Sequence, residues 1–306
     1  MAKVIPVFDH SSEPNVARMP AWVRQSLGKG QVYSQTALSV KNNGLNTVCE
    51  EAQCPNRGEC WSQGTATFML LGDICTRACG FCAVKTARPE TLDLDEPQRV
   101  AKAVAQMGLD YVVLTSVNRD DLADGGARIF ADTITALRNE RADIGLELLT
   151  PDFYRRQPQA IESIATALFQ ADFNNAGRDR PRMVWGHNVE TVPALYKQVR
   201  KGSNYTRSLD LLEQAARLDN IEAKSGLMLG LGESFAEVMQ VLRDLRNVGV
   251  KRISLGQYLR PSRYHLAVKQ YLTPEEFDEY AKEADALGFT WVKAGPMVRS
   301  SYHAHE

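Results

Sequence analysis

Seven short apolar runs recur from residue 65 onward: TATFMLLG (65–72), YVVLTSV (111–117), GLELLT (145–150), MVWGH (183–187), KSGLML (224–229), KRISLGQY (251–258) and TWVKAG (290–295). Most are bounded by Gly, Asp or Asn, and near-continuous apolar character over so few residues predicts strands buried on both faces. Between the runs the apolar positions switch to helical spacing. In SFAEVMQVLRDLRNVG, residues Phe235, Val238, Met239, Leu242, Leu245 and Val248 share one face, and Ser234 with Glu237 predicts a capping box. TPEEFDEYAKEADALG repeats the design, with Thr273 as N-cap, Pro274 at the first helical position, Glu276 three residues after the cap and Gly288 as the stop. Strand and helix alternating to residue 295 predicts parallel strands with helical crossovers. About seven such units make an α/β fold, a complete or partial (β/α) barrel, whose chemistry sits on the loops after the strands.

Two stretches depart from this rhythm. Residues 1 to about 45 are short polar and proline-bearing pieces, with one helix expected near Ala21 to Ser26, and read as an arm laid on the barrel. QADFNNAGRDRPRM (170–183) is polar and turn-forming, and reads as a loop or small insertion. The expected division is residues 1–64 as an N-terminal extension, 65–295 as the barrel and 296–306 as a C-terminal tail.

Charge adds little. Lys plus Arg number 36 against 37 for Asp plus Glu, a net charge of −1 in 306 residues, so no global field favours nucleic acid or an anionic membrane surface. No stretch approaches the roughly 18 apolar residues of a membrane span, and MAKVIPVFDHSSEP lacks the apolar run of a signal peptide, so a cytoplasmic protein is expected.

The cysteines change the picture. All six fall between residues 49 and 82, and a reducing compartment disfavours disulfides, which leaves metal binding or redox work. CTRACGFC is C-x3-C-x2-C, with Cys75, Cys79 and Cys82 directly after the first expected strand. Three thiolates on one loop can hold three irons of a cubane and leave the fourth open to a non-protein ligand. The plain alternative is a zinc site completed by His10 or His187, although zinc cysteines normally pair as C-x2-C. VCEEAQCPNRGEC supplies Cys49, Cys54 and Cys60 as C-x4-C-x5-C ahead of the barrel. Chemistry alone allows a second metal or cluster site with a non-cysteine fourth ligand, or three unrelated buried thiols.

The first triplet, in spacing and position, resembles that of the radical S-adenosylmethionine (SAM) enzymes. NTVCEEAQCPNRGECW, GTATFMLLGDICTRACGFCAV, KSGLMLGLGE, GQYLRPSRYHLAV and GPMVRSSYHA together resemble the lipoyl synthase family over nearly the whole chain from about residue 30. The resemblance implies a partial radical SAM barrel in which Cys75, Cys79 and Cys82 hold a [4Fe–4S] cluster that cleaves SAM to methionine and a 5′-deoxyadenosyl radical. It implies an auxiliary [4Fe–4S] cluster on Cys49, Cys54 and Cys60, with a serine of the RSSY motif as fourth ligand: Ser301, with Ser300 its rival. The implied reaction is radical insertion of two sulfur atoms, at carbons six and eight of an octanoyl chain amide-linked to a lysine of a lipoyl carrier domain. The auxiliary cluster is the sacrificial sulfur donor and each insertion consumes one SAM. Implied partners are the acyltransferase subunits of 2-oxoacid dehydrogenases, the glycine cleavage H protein, an electron donor such as ferredoxin or flavodoxin, and an iron–sulfur cluster donor, with neither nucleic acid nor membrane.

Further candidates for contact with SAM lie at strand ends. Asp120, Asp121, Gly125 and Gly126 follow the second strand, against the reading of a polar loop with a helix cap. Glu147 and Asp152 border the third strand, and His187 and Asn188 end the fourth. There the chain reads WGHN where the family has an FNHN-like segment. Gly230 and Gly232 form a tight turn that a nucleotide edge can approach, or simply a turn. Arg260 and Arg263 are read as anchors for a carboxylate or for the RSSY tail, or as surface pairs, and His303 and His305 as solvent-exposed.

Overall fold

The structure is a computed structural model that describes residues 19–23, 30–63, 66–173, 183–302 and 304. Ahead of the sheet come α1 (Gly30–Asn42), α2 (Val48–Glu51) and α3 (Arg57–Ser62). Strand β1 (Thr67–Leu70) leads into a two-stranded parallel ribbon of β2 (Ile74–Cys75) and β3 (Lys85–Thr86). Then follow α4 (Glu96–Met107), β4 (Tyr111–Ser116), α5 (Ala127–Glu140), β5 (Gly145–Leu149), α6 (Gln157–Phe173) and β6 (Met183–Gly186). A short 3-10 turn and α7 (Tyr196–Val199) precede α8 (Tyr205–Ala216), β7 (Ile221–Leu229), α9 (Phe235–Asn247), β8 (Arg252–Gln257), α10 (Pro274–Ala286) and β9 (Trp291–Gly295).

All seven expected strands are present and join one parallel sheet in the order β1-β4-β5-β6-β7-β8-β9. Sheet order equals chain order, so every crossover steps the same way, the topology of a (β/α) barrel that does not close: β1 and β9 remain its edges. Both expected capping boxes form, at Ser234 with Glu237 and at Thr273 with Glu276. The outer core lies between sheet and helices in two main clusters, one around Phe68, Leu114, Phe130 and Trp185 and the other around Leu229, Leu242, Ile253 and Phe277.

The N-terminal region holds more structure than its sequence pattern suggests. Helix α1 has a weak apolar stripe, and tertiary contacts hold it: Val40 is buried, Thr36 Oγ1 donates to the carbonyl of Trp61 at 3.2 Å, and Tyr33 packs on Trp61. Residues 47 and 68 form an antiparallel bridge that covers part of the β1 edge. Ala21 to Val23 form a turn and bend; the remainder of the helix expected there, most of the 170–183 segment, His10, His303 and His305 lie outside the described residues.

The inner face is polar and in places bare. Inward residues of β4, β5, β7 and β9 meet in a chain of contacts, Tyr111 to Glu147, Glu147 to Lys224 and Lys224 to Trp291, which requires the sheet to curl. The segment after β9 runs back inside this curl. A Cβ at Gly256 on β8 would overlap the carbonyl of Val298, and one at Gly226 on β7 would press on Asn188 and Ser300. Gly256→Ala is therefore expected to push the tail outward at a cost of about 1–3 kcal/mol. Calorimetry should find the melting temperature several degrees lower; an unchanged value would mean that the tail moves aside freely.

Candidate metal centres

The loop after β1 that carries Cys75, Cys79 and Cys82 is stapled on every side. Thr76 donates its backbone N–H to Asn118 at 3.0 Å, and the N–H groups of Arg77 and Asn118 point at Cys75 Sγ from 3.4 and 3.3 Å. Gly80 gives its N–H to Val199 at 2.9 Å and takes one from Leu266 at 3.0 Å. A Cβ there would lie 2.8 Å from the carbonyl of Gln198, so only glycine fits. His265 Nε2 sits 3.0 Å from the carbonyl of Cys82, which must accept, so the ring proton is on Nε2 and Nδ1 takes the hydroxyl of Ser262 at 2.9 Å. The RPSRYH segment thereby backs the cysteine turn. Arg260 holds that segment's own shape, donating to the carbonyls of His265 and Arg263, while Arg263 lies on Tyr264.

Burial raises the Cys79 thiol to about 11 and the Cys82 thiol to about 12, partly offset at Cys79 by Arg200. Thiols so placed ionise only against a strong Lewis acid, and the thiolate is the ligand form. Among the described residues no three His, Cys, Asp or Glu side chains converge on one point as a single ion demands. A cluster instead takes each thiolate on a different iron, so its ligands stand further apart. His187, the sequence-level candidate for completing a zinc site, has both nitrogens engaged: Nδ1 donates to the carbonyl of Thr150 at 2.8 Å and Nε2 faces Ser208 Oγ at 3.0 Å. Burial drops its pKa to about 3, so it stays neutral.

The second triplet lines a cavity of about 440 Å³, whose wall includes Cys49, Cys54, Cys60, Tyr111, Arg299 and Ser301. That volume equals roughly fifteen waters, ample for a compact cluster. Cys49 is buried on α2, which Thr47 caps, and burial raises its thiol. The tail is tied to this N-terminal wall by Asn56 Nδ2 to the carbonyl of Met297 at 2.7 Å and by the Tyr302 hydroxyl to Glu59 at 3.0 Å. The two adjacent serines separate here. Ser300 Oγ is engaged by Asn188 Nδ2 and its carbonyl by Lys224 Nζ, whereas Ser301 faces the three thiols' cavity.

The other candidates are placed as follows. Asp120 takes two hydrogen bonds from Arg77, each 2.7 Å, and Asp121 is bound by Arg119, which holds its carboxyl below the ordinary range. Gly126 caps α5 with φ +90° against Leu71, and Gly125 abuts Phe153. Glu147 faces inward to Tyr111 and Lys224 rather than to the cysteine loop. Asn188 reaches Glu190 and Ser300. The Gly230–Gly232 turn is packed under Gln257 and Gln270, and Glu233 accepts the N–H of Gly230.

Three groups escaped the sequence reading. Arg77, two residues from Cys75, joins Asp120 to the fully buried Asp152, which Arg207 also meets at 2.8 Å. Arg200 is buried and donates to the carbonyl of Asn188 and to Tyr196 and Ser208. Glu190, half-buried with its pKa raised by desolvation, accepts from Asn188 Nδ2 at 3.1 Å and lies within the field of both Cys79 and Arg299. Arginines and acids far apart in sequence carry no local signal of such pairing.

Comparison with known proteins places these features. A family model described as the radical SAM superfamily matches residues 69–245. A curated lipoyl synthase of Thioalkalivibrio sulfidiphilus is 50% identical over 290 residues, 94% of this chain and 87% of its own. One from Salmonella arizonae is 49% identical over 304 residues, 98% of this chain and 91% of its own. The crystal structure of Streptococcus suis SuiB bound to S-adenosylmethionine superposes with TM-score 0.55 at 12% identity over 78% of this chain; the chain spans 54% of that structure, a likeness of fold alone.

The Arg77–Asp152 contact has a pH consequence. Although burial opposes ionisation, Arg77 and Arg207 hold the Asp152 carboxyl at about 2, below its ordinary 3.8. A depressed carboxylate stabilises the fold fully above about pH 4 and loses that contribution as pH falls toward 2. Over that window the wild type should lose roughly 2 kcal/mol more than Asp152→Asn. Melting temperatures measured between pH 2 and 5 should therefore converge at the acid end, and parallel curves would refute the assignment.

Proposed function

The chain belongs to the lipoyl synthase family within the radical SAM superfamily, and from that membership we propose how its cysteines divide the reaction. The enzyme is a sulfurtransferase that uses SAM and two [4Fe–4S] clusters to insert sulfur at carbons six and eight of an octanoyl chain carried on a lysine of a lipoyl carrier protein. Cys75, Cys79 and Cys82 hold the cluster that meets SAM; Cys49, Cys54, Cys60 and Ser301 hold the auxiliary cluster. The observation that carries this division is the cavity in which Ser301, and not Ser300, faces three thiols. When bound, these groups supply an electron, a carbon radical able to take hydrogen from unactivated carbon, and the sulfur itself.

The chain's own residues place and shield. Three thiols on a fixed loop leave one corner open to SAM, and backbone N–H groups at Cys75 Sγ lessen the charge a cluster there presents. Cys79 and Cys82 are only partly exposed, which limits the water that reaches them. Asn188, between Glu190 and Ser300, is the candidate best set to touch SAM. Asp120, Asp121 and Glu147 are committed to Arg77, Arg119 and Lys224 and serve the scaffold.

The carriers are the acyltransferase subunits of 2-oxoacid dehydrogenases and the glycine cleavage H protein, the electron donor a ferredoxin or flavodoxin, and the auxiliary cluster is renewed by a cluster donor. A cytoplasmic site agrees with six cysteines that form no disulfide. Residues 1–64 form the auxiliary-cluster extension, 65–295 the barrel and 296–306 the tail.

The decisive experiment is mass spectrometry of an octanoyl-lysine peptide after anaerobic incubation with reconstituted protein, reductant and SAM. A peptide gaining two sulfurs with deoxyadenosine formed in parallel is expected; deoxyadenosine alone would point to another substrate. Cys79→Ala should abolish deoxyadenosine while retaining the auxiliary irons. Cys54→Ala should still cleave SAM yet insert no sulfur, and lipoyl product from that variant would defeat the donor assignment.

A further inference from the structure

Two walls of the thiol-lined cavity are set by one buried ion pair. Glu147 on β5 and Lys224 on β7 are each 1% exposed and lie 2.8 Å apart. The second oxygen of Glu147 accepts the hydroxyl of Tyr111, itself in the cavity wall, at 3.2 Å. Lys224 Nζ, seated over the Trp291 ring at 4.5 Å, also donates to the carbonyl of Ser300 at 2.6 Å. That carbonyl shares its peptide plane with the nitrogen of Ser301, so holding the oxygen fixes the plane from which Ser301 departs. Asn188 holds the Ser300 hydroxyl, and of the two serines Ser301 is the one that lines the cavity of the thiols.

We propose that the Glu147–Lys224 pair is the positioning device that presents Ser301 to the site formed by Cys49, Cys54 and Cys60, an inference that rests on the reading of Ser301 as the fourth cluster ligand. A buried ion pair is seldom more stable than an apolar pair of the same volume, so what this one contributes is geometry. An alcohol is a weak ligand for iron compared with a thiolate, and it competes best when its orientation is settled beforehand. The pair also makes the two walls interdependent: shifting the ammonium moves Ser301 through the tail and Tyr111 through Glu147.

The test uses the full chain reconstituted with both clusters. The double variant Lys224→Met with Glu147→Gln removes both charges together, so no lone charge is left buried, and folding is checked by retention of the irons at Cys75, Cys79 and Cys82. Ser301→Ala is expected to remove the Mössbauer component of the oxygen-ligated iron. The double variant should reduce that component to a minor fraction and let a chelator strip the auxiliary irons roughly tenfold faster, in keeping with the loss of a charge-assisted hydrogen bond. Hydrogen exchange of amides 299–302, compared between Ser301→Ala and the triple variant so that no iron–oxygen bond restrains the tail, should likewise quicken roughly tenfold. A wild-type spectrum and unchanged exchange in the double and triple variants, with Ser301→Ala altered, overturn the positioning role alone. A spectrum that Ser301→Ala leaves unchanged removes the ligand reading, and this inference with it.

Discussion

The interior of the curled sheet has to admit a tail built of turns, and the absence of side chains at Gly226 and Gly256 is what provides the space. Everything specific to the second cysteine site follows from that allowance. The segment after β9 can cross the inner face of β8 and β7 only where no Cβ stands in the way. It meets the N-terminal segment on either side of this crossing, Met297 at Asn56 before it and Tyr302 at Glu59 after it, and completes a cavity that neither end of the chain forms alone.

Buried charge is the second organising feature. Arg77 and Arg207 with Asp152, and Lys224 with Glu147, are drawn from different loops, helices and strands. Each pair gives up hydration that an apolar contact would not require, so such pairs are poor sources of stability and good sources of fixed geometry. Their placement agrees with that role. The first fastens the loop of Cys75, and the second reaches the tail at Ser300.

Much of the frame was legible. The seven apolar runs became seven strands because parallel strands buried on both faces must be apolar throughout, and the capping boxes at Ser234 and Thr273 are local chemistry needing no tertiary context. Helix α1 was not legible, since its residues are poorly segregated into faces and it is held by contact with Trp61. Asp120, Glu147 and Gly230 illustrate a different limit. Their positions at strand ends or within a barrel were foreseeable, but a carboxylate's partner is decided by which arginine or lysine the fold brings to it, and a glycine turn's exposure by what packs over it.

By itself the sequence determined the architecture and the inventory of candidate metal-binding groups, because strand periodicity, helix caps and C-x3-C-x2-C spacing are all encoded within a few residues of one another. Tertiary structure alone decided how those groups are used. It separated Ser300 from Ser301, turned His187 into a neutral buried scaffold residue, and joined Glu147 to Lys224. The physical reason is that neighbouring residues of the same type are chemically equivalent until the chain brings a donor, an acceptor or an empty volume to one of them, and here each came from another element of the fold.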